Sequence, residues 1–82
     1  MTTIDIIFRY NRIHKLIKNR ATGSPKILSE KLNICESMLY NDIREMRFKG
    51  APIFYDKNCK TYYYSEDGDF SIENGWNKNI LP

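Results

Sequence analysis

The sequence is poor in metal-binding residues and in long apolar runs. It has one histidine, His14, and two cysteines, Cys35 and Cys59, without metal-ligand spacing, so a Cys/His zinc site cannot reach the usual number of ligands. No apolar stretch approaches membrane-spanning length, and the first residues lack the pattern of a secretory signal. We therefore expect a cytoplasmic protein with free thiols, no metal, no cofactor and no membrane contact.

The residue combinations that perform catalysis are also missing. There is no credible Ser/His/Asp or Cys/His pairing, no glycine-rich phosphate loop and no carboxylate pair on an apolar face. With 82 residues, the chain forms a single domain that could hardly enclose a deep substrate cleft. The sequence therefore predicts a binding module rather than an enzyme, with no small-molecule ligand evident.

What the sequence does contain is cationic charge, unevenly distributed. Residues 1–60 hold twelve of the thirteen Lys and Arg and six of the ten Asp and Glu, a net charge of +6, whereas residues 61–82 carry −3. A cationic body with an acidic end favours a polyanionic partner for the body. The alternative is the solvated charged surface of many lysine-rich small proteins.

Apolar periodicity predicts three helices. The first spans about residues 4–19, with an apolar stripe at helical spacing, and ends near Gly23. The second follows the N-cap Ser24 and ends at Asn33. The third runs from about Glu36 to Lys49. We expect a shared core of six apolar side chains: Leu28, Leu32, Leu39, Ile43, Met46 and Ile53.

After Pro52 the periodicity changes to that of strands. The runs IFYD and TYYYS, joined by the polar KNCK, predict one β-hairpin, and EDGD predicts a turn. FSI could add a short extended piece, whereas residues 73–82 show no assignable period. The expected fold class is therefore α+β: a three-helix helix-turn-helix core with a two-stranded β-hairpin wing, occupying residues 1–72 and followed by a C-terminal tail, 73–82.

The segment ILSEKLNICESMLYNDIREMRFKGAPIFYD, with the YYY strand, makes this expectation more specific. It resembles the winged helix-turn-helix reader of DeoR-type bacterial repressors and of WYL-domain transcriptional regulators. The resemblance covers about residues 13–64, and its matching positions are Leu28, Leu32, Ile34, Leu39, Tyr40, Asp42, Ile43, Met46, Gly50, Pro52 and Ile53. It implies a helix that reads the DNA major groove and a wing beside it. Many relatives carry a sensor domain after this reader, whereas we expect the reader here to stand alone.

The third helix carries the candidate base-reading residues, which share one face: Ser37, Tyr40, Asn41 and Arg44. An ordinary solvated helix surface is the alternative. Three residues depart from the family pattern, with Cys35 in place of a capping Ser, Met38 in place of Thr and Asn41 in place of Arg. Because Asn pairs bidentately with adenine whereas Arg prefers guanine, the target sequence should differ from that of typical relatives.

Five further residues are candidates for phosphate contact: Arg47, Lys49, Lys57, Asn58 and Lys60. The last three lie at the expected hairpin tip, which could instead be a plain solvated turn. The three consecutive tyrosines, 62–64, are interpreted as packing residues rather than base-stacking ones. His14 is expected to be a solvated helix residue. Cys35 and Cys59 could be a redox pair or only small apolar fillers.

The resulting hypothesis is a sequence-specific double-stranded DNA-binding protein: a small transcription regulator, such as a repressor, of bacterial or mobile-element origin. Because one reader covers few base pairs, a homodimer is possible. Two alternatives stay open: an excisionase-like architectural DNA-binding protein, and a winged helix used as a protein-protein inhibitor module.

Overall fold

The computed structural model describes residues 3–78. Three helices are followed by two antiparallel hairpins. The helices are α1 (Thr3–Lys18), α2 (Pro25–Leu32) and α3 (Glu36–Phe48). The first hairpin pairs β1 (Ile53–Asp56) with β2 (Thr61–Tyr64), and the second pairs β3 (Gly68–Ser71) with β4 (Gly75–Lys78). The predicted α+β class and the three helices are confirmed, but the sheet portion is two hairpins rather than one.

Helix α1 supports the rest of the molecule on its apolar side. Ile13 and Ile17 are fully buried, and Tyr10 and Leu16 pack against the core around them. The helix ends before Gly23, because Arg20 takes a left-handed conformation with φ 54° and its N–H bonds back to the carbonyl of Ile17. The chain then turns towards α2.

The capping residues of α2 act as the sequence predicts. The Ser24 side chain accepts the N–H of Ile27 at 3.3 Å, and Pro25 occupies the first helical position. At the other end Asn33 is left-handed, with φ 56°. Only residues 33–35 separate α2 from α3, so the two helices meet across the short corner that the sequence predicts.

Five of the six predicted core side chains are buried together: Leu28, Leu39, Ile43, Met46 and Ile53. The sixth, Leu32, is only partly buried at the edge of the same cluster. The core also includes Tyr62 and Phe70, so both hairpins contribute to it. Each hairpin thus closes one side of the small helical core.

The first hairpin alternates inward and outward side chains. Ile53 lies opposite Tyr64, and Tyr55 opposite Tyr62, on the face towards the core. Burial raises the pKa of Tyr62 to about 12, because desolvation disfavours the phenolate. The packing role predicted for the tyrosines therefore holds for Tyr62 and Tyr64, whereas Tyr63 lies on the opposite face.

The second hairpin is the main difference from the sequence-based expectation. Phe70 lies opposite Trp76 in its register, and Phe70 is buried. The segment expected to be a turn, EDGD, supplies the start of β3, and β4 falls within residues that showed no period. The boundary expected after residue 72 lies in the turn between these two strands, and residues 79–82 of the expected tail lie outside the described residues.

His14 is not the solvated residue that the sequence indicated. Its side chain is 13% exposed; Nδ1 lies 2.9 Å from the Tyr64 hydroxyl and Nε2 lies 3.5 Å from an Asp69 oxygen. Burial lowers the pKa of His14, although Asp69 opposes this shift. The neutral ring suits both contacts if Nδ1 accepts a hydrogen bond from the Tyr64 hydroxyl and Nε2–H points at the Asp69 carboxylate. Thus α1 is joined to both hairpins.

Between residues 3 and 78, no helix combines the length and the apolar character needed to cross a membrane.

Candidate nucleic-acid interface

The orientation of α3 depends on a buried carboxylate. Asp42 is 1% exposed although it is charged, and it lies on the same side of the helix as Leu39, Ile43 and Met46. The Arg9 guanidinium from α1 binds it bidentately, with Nε donating at 2.5 Å and Nη2 at 3.0 Å. This hydrogen bonding raises the pKa of Arg9. The pair fixes which side of α3 faces inward.

The sequence did not reveal this contact, because Arg9 and Asp42 are 33 positions apart. A signal was present: Asp42 precedes Ile43 and follows Leu39 by three positions, so it lies beside the apolar stripe of α3. A carboxylate on a core face needs a cationic partner.

With that side buried, the opposite side of α3 is open. Ser37, Asn41 and Arg44 follow i, i+4, i+7 spacing and all are exposed. Tyr40 is 47% exposed and lies on the flank nearer the first hairpin. There it adds to the effect of burial in raising the pKa of Tyr62. The four residues predicted to read bases therefore share the exposed side of the helix.

Phe48 continues the same line one turn further along. It is 87% exposed, which makes it the most exposed large apolar side chain of the described residues. Sequence reasoning did not single it out. Its spacing of four residues from Arg44 and seven from Asn41 would have identified it. We call Ser37, Asn41, Arg44 and Phe48 the outer stripe of α3.

The N-terminal end of α3 has a weak cap. Cys35 occupies the N-cap position, but its side chain makes no capping hydrogen bond. Its sulfur lies 3.3 Å from the Ser37 hydroxyl. This contact and, to a smaller extent, the nearby N–H of Met38 lower the pKa of the Cys35 thiol. Cys35 and Cys59 are both exposed and free.

Arg47 and Lys49, at the other end of α3, differ in their contacts. Arg47 is exposed, but its Nε donates to the carbonyl of Ile53 at 3.1 Å and so ties α3 to β1. Lys49 is the exposed C-cap, and its carbonyl accepts the N–H of Trp76 at 3.1 Å. Both side chains lie on the surface, as phosphate contact would require.

The tip of the first hairpin carries the other predicted phosphate contacts. Lys57, Asn58 and Lys60 are all exposed in the turn between β1 and β2. Asp56 organises this turn, because its Oδ1 accepts the N–H groups of Asn58 at 2.8 Å and Cys59 at 3.2 Å. These bonds lower the pKa of Asp56.

Charge pairing distinguishes two parts of the surface. Within residues 3–78, neither Arg44 nor the two tip lysines form an ion pair. Two acids elsewhere do: Asp69 of β3 lies 2.7 Å from Lys18 Nζ, and Glu66, just before β3, lies 3.3 Å from Lys78 Nζ. Cationic side chains thus stay outside ion pairs on α3 and the first hairpin, although two exposed acids of α3, Glu36 and Glu45, also form no ion pair within residues 3–78.

Trp76 of β4 packs within the domain. Its ring lies 4.5 Å from that of Tyr64, and Nε1 donates to Glu66 at 3.0 Å. The side chain is half-buried within the domain, so these internal contacts account for it.

No family model, no curated protein and no solved structure matches this chain.

Proposed function

We propose that this chain is a sequence-specific double-stranded DNA-binding protein with a winged helix-turn-helix reader, acting as a small transcription regulator. In this proposal α3 enters the major groove, α2 braces it, and the first hairpin is the wing beside the adjacent backbone. The resemblance of residues 13–64 to DeoR-type readers supports it.

The observation that carries the proposal is the exposed side of α3. Polar groups able to bond base edges follow one helical line, while the Arg9–Asp42 pair holds the opposite side against the core. Such a face has no role in packing. Ser37, Asn41 and Arg44 would contact bases, and Tyr40 would contact a base or the sugar-phosphate backbone from the flank.

The distribution of cations supports a polyanionic partner. Lys57, Lys60 and Arg44 are exposed and form no ion pair within the described part of the chain. Lysines at a hairpin tip can neutralise phosphates on either side of the groove that the helix occupies. Neutralisation of phosphates contributes a large share of the affinity of DNA-binding proteins. Arg47 and Lys49 would add contacts near the end of α3.

Asn41 provides the sharpest test of base reading. Its amide can accept from adenine N6 and donate to N7, a pattern that guanine does not offer. A selection of bound duplexes from random DNA, at one salt concentration, should yield an adenine near the centre of each half-site. Asn41→Ala should relax that preference by roughly 1–3 kcal/mol, and Asn41→Arg should shift it to guanine.

Phe48 favours a second candidate function. An exposed aromatic ring on the same side of α3 as Tyr40 and Arg44 is also typical of a protein interface, so this face could bind a protein as an inhibitor module. Salt dependence separates the two functions. A DNA reader loses affinity steeply between 50 and 200 mM salt, whereas a protein module would show no duplex affinity whose slope could be fitted. Identical preferred sequences for all three Asn41 variants would contradict base reading.

A further inference from the structure

The outer face of the first hairpin carries a row of three side chains that the proposed duplex contact does not need. Phe54 and Tyr63 are cross-strand partners whose ring centroids lie 6.1 Å apart at an interplanar angle of 31°. The Arg20 guanidinium, from the segment after α1, lies 5.1 Å from the Tyr63 ring centroid. We call Arg20, Tyr63 and Phe54 the aromatic row.

This row lies on the side of the hairpin away from the core. Phe54 is 51% exposed, although its neighbours Ile53 and Tyr55 turn inward. The ring of Tyr63 is only partly covered, and its covering includes Arg20. Two tilted rings and a guanidinium therefore form a mixed aromatic and cationic surface that is at least partly exposed.

Charge identifies the kind of partner. Arg20 and the two tip lysines, Lys57 and Lys60, form no ion pair among residues 3–78. Asp56 of the same hairpin directs one carboxylate oxygen at the turn's own N–H groups, and Arg20 lies near enough to help lower its pKa without forming an ion pair. An aromatic surface bordered by unpaired cations is complementary to unpaired bases on a phosphate chain.

Backbone conformation supports the same reading. Among residues 3–78, three residues other than glycine have positive φ, and two of them are Arg20 (φ 54°) of the aromatic row and Lys60 (φ 52°) at the hairpin tip. Glycine is the least strained residue in that region and asparagine is tolerated, whereas long cationic side chains are uncommon there. At both positions the fold thus carries a cation where an uncharged residue would be less strained.

We propose that the aromatic row binds single-stranded nucleic acid, with one or two bases stacked on Phe54 and Tyr63 and the phosphates facing Arg20, Lys57 and Lys60. Only unpaired bases qualify, because the faces of paired bases are covered by their neighbours in a duplex. Stacking is tolerant of sequence, since every base has an aromatic face. This proposal does not require α3 to read duplex DNA.

The test uses labelled twelve-nucleotide probes and fluorescence anisotropy with the full chain. The probes are oligo-dA, oligo-rA and an abasic strand with the same number of phosphates. We expect oligo-dA or oligo-rA to bind roughly 5- to 100-fold more tightly than the abasic strand. The tighter of the two identifies DNA or RNA as the ligand. Equal affinity for the abasic strand, or no binding, would overturn the proposal and leave an acidic protein as the partner of this face.

Variants then locate the site. Phe54→Thr/Tyr63→Thr keeps strand propensity and should weaken oligo-dA binding to the level of the abasic strand. Phe48→Gln, which removes an exposed ring from α3, is the matched control and should leave it unchanged. A 2-aminopurine base in the probe should be quenched by the wild type and not by the double variant. Unchanged quenching in the double variant would contradict stacking on these rings.

Two controls keep the outcomes separate. If the double variant does not fold, Phe54→Thr alone tests the more exposed ring and should lose part of the base-dependent affinity. Asn41→Ala should not change oligo-dA binding, whereas it should change the duplex selection. A failed selection with intact base-dependent binding would therefore refute the reader while supporting the aromatic row.

Discussion

The first and second hairpins both pair two four-residue strands, but they differ in which aromatic and charged side chains they expose. In the first hairpin Phe54 points outward and the tip carries Lys57 and Lys60 without ion pairs among the described residues. In the second hairpin the corresponding ring, Phe70, is 6% exposed and lies 6.4 Å from Tyr10 of α1.

The acids of the two hairpins differ as well. Asp69 of the second hairpin is held by Lys18 and faces His14, both from α1. Asp56 of the first hairpin instead binds backbone N–H groups of its own turn. The second hairpin therefore uses its charges to attach itself to α1, whereas the cations of the first remain available for a partner. Both hairpins pack into the core, and we propose that the first also offers its outer face and tip to a partner.

The largest effect expected from this comparison is on stability. Phe70→Ala should lower the free energy of unfolding by about 3–5 kcal/mol, because it removes a buried ring from a small core. Phe54→Ala is the matched change in the first hairpin and should cost about 1 kcal/mol or less, because that ring is half exposed. Urea denaturation measures both; similar costs would contradict the different roles of the hairpins.

The next largest effect concerns the two turns. Gly75 has φ 71°, and a Cβ there would lie 2.6 Å from the Lys49 carbonyl oxygen. Gly75→Ala should therefore destabilise the domain by about 1–3 kcal/mol. Lys60→Gly, at the left-handed residue of the first turn, should change stability by less than about 1 kcal/mol, since relief of strain is offset by chain entropy. A harmless Gly75→Ala would show that β4 does not need its approach to α3.

A smaller effect should appear in duplex binding. Lys57→Ala and Lys60→Ala should each weaken binding to all duplexes alike and remove about one phosphate contact from the salt slope. Each contact accounts for roughly a threefold to fourfold loss of affinity between 50 and 200 mM salt. Lys78→Ala, in the second hairpin and paired with Glu66, is the control and should leave the slope unchanged. If all three variants retain the wild-type slope, the first hairpin does not touch phosphate.

The smallest effect is a pH dependence at His14, which contacts both hairpins. Because burial lowers its pKa in the folded state below the ordinary 6.5, the unfolded chain binds the proton more readily. Stability should therefore fall as the pH drops below about 6.5. The lowered pKa values of Asp56 and Asp69 affect stability at more acid pH, as the pH approaches and falls below their ordinary value of 3.8.

His14→Gln is the variant that isolates the contribution of His14 to the pH dependence of stability. Its free energy of unfolding should decline less between pH 7 and pH 5.5 than that of the wild type. Thermal melts over this range provide the measurement, and parallel pH profiles for the two proteins would show that His14 is not responsible.

Local sequence determined the helices and the first hairpin, because each depends on neighbouring residues. Ser24 and Pro25 start α2, Asn33 ends it, and the apolar spacing of α3 selects its buried side. The exposed positions of Ser37, Asn41 and Arg44 follow from the same spacing, since helical geometry places them opposite the core.

Only the tertiary structure decided the features that depend on residues far apart in the chain. Arg9 reaches Asp42 across 33 positions, and His14 reaches Tyr64 across 50, so neither contact has a local pattern to reveal it. The second hairpin also lacks a local pattern, because β4 shows no period. It is held by hydrogen bonds from Trp76 to the carbonyl of Lys49 and to the Glu66 side chain. The same is true of the aromatic row, since Arg20 meets Tyr63 only once α1 and β2 pack together. Sequence spacing specifies which side of an element is apolar, but long-range packing decides which charges and rings remain exposed.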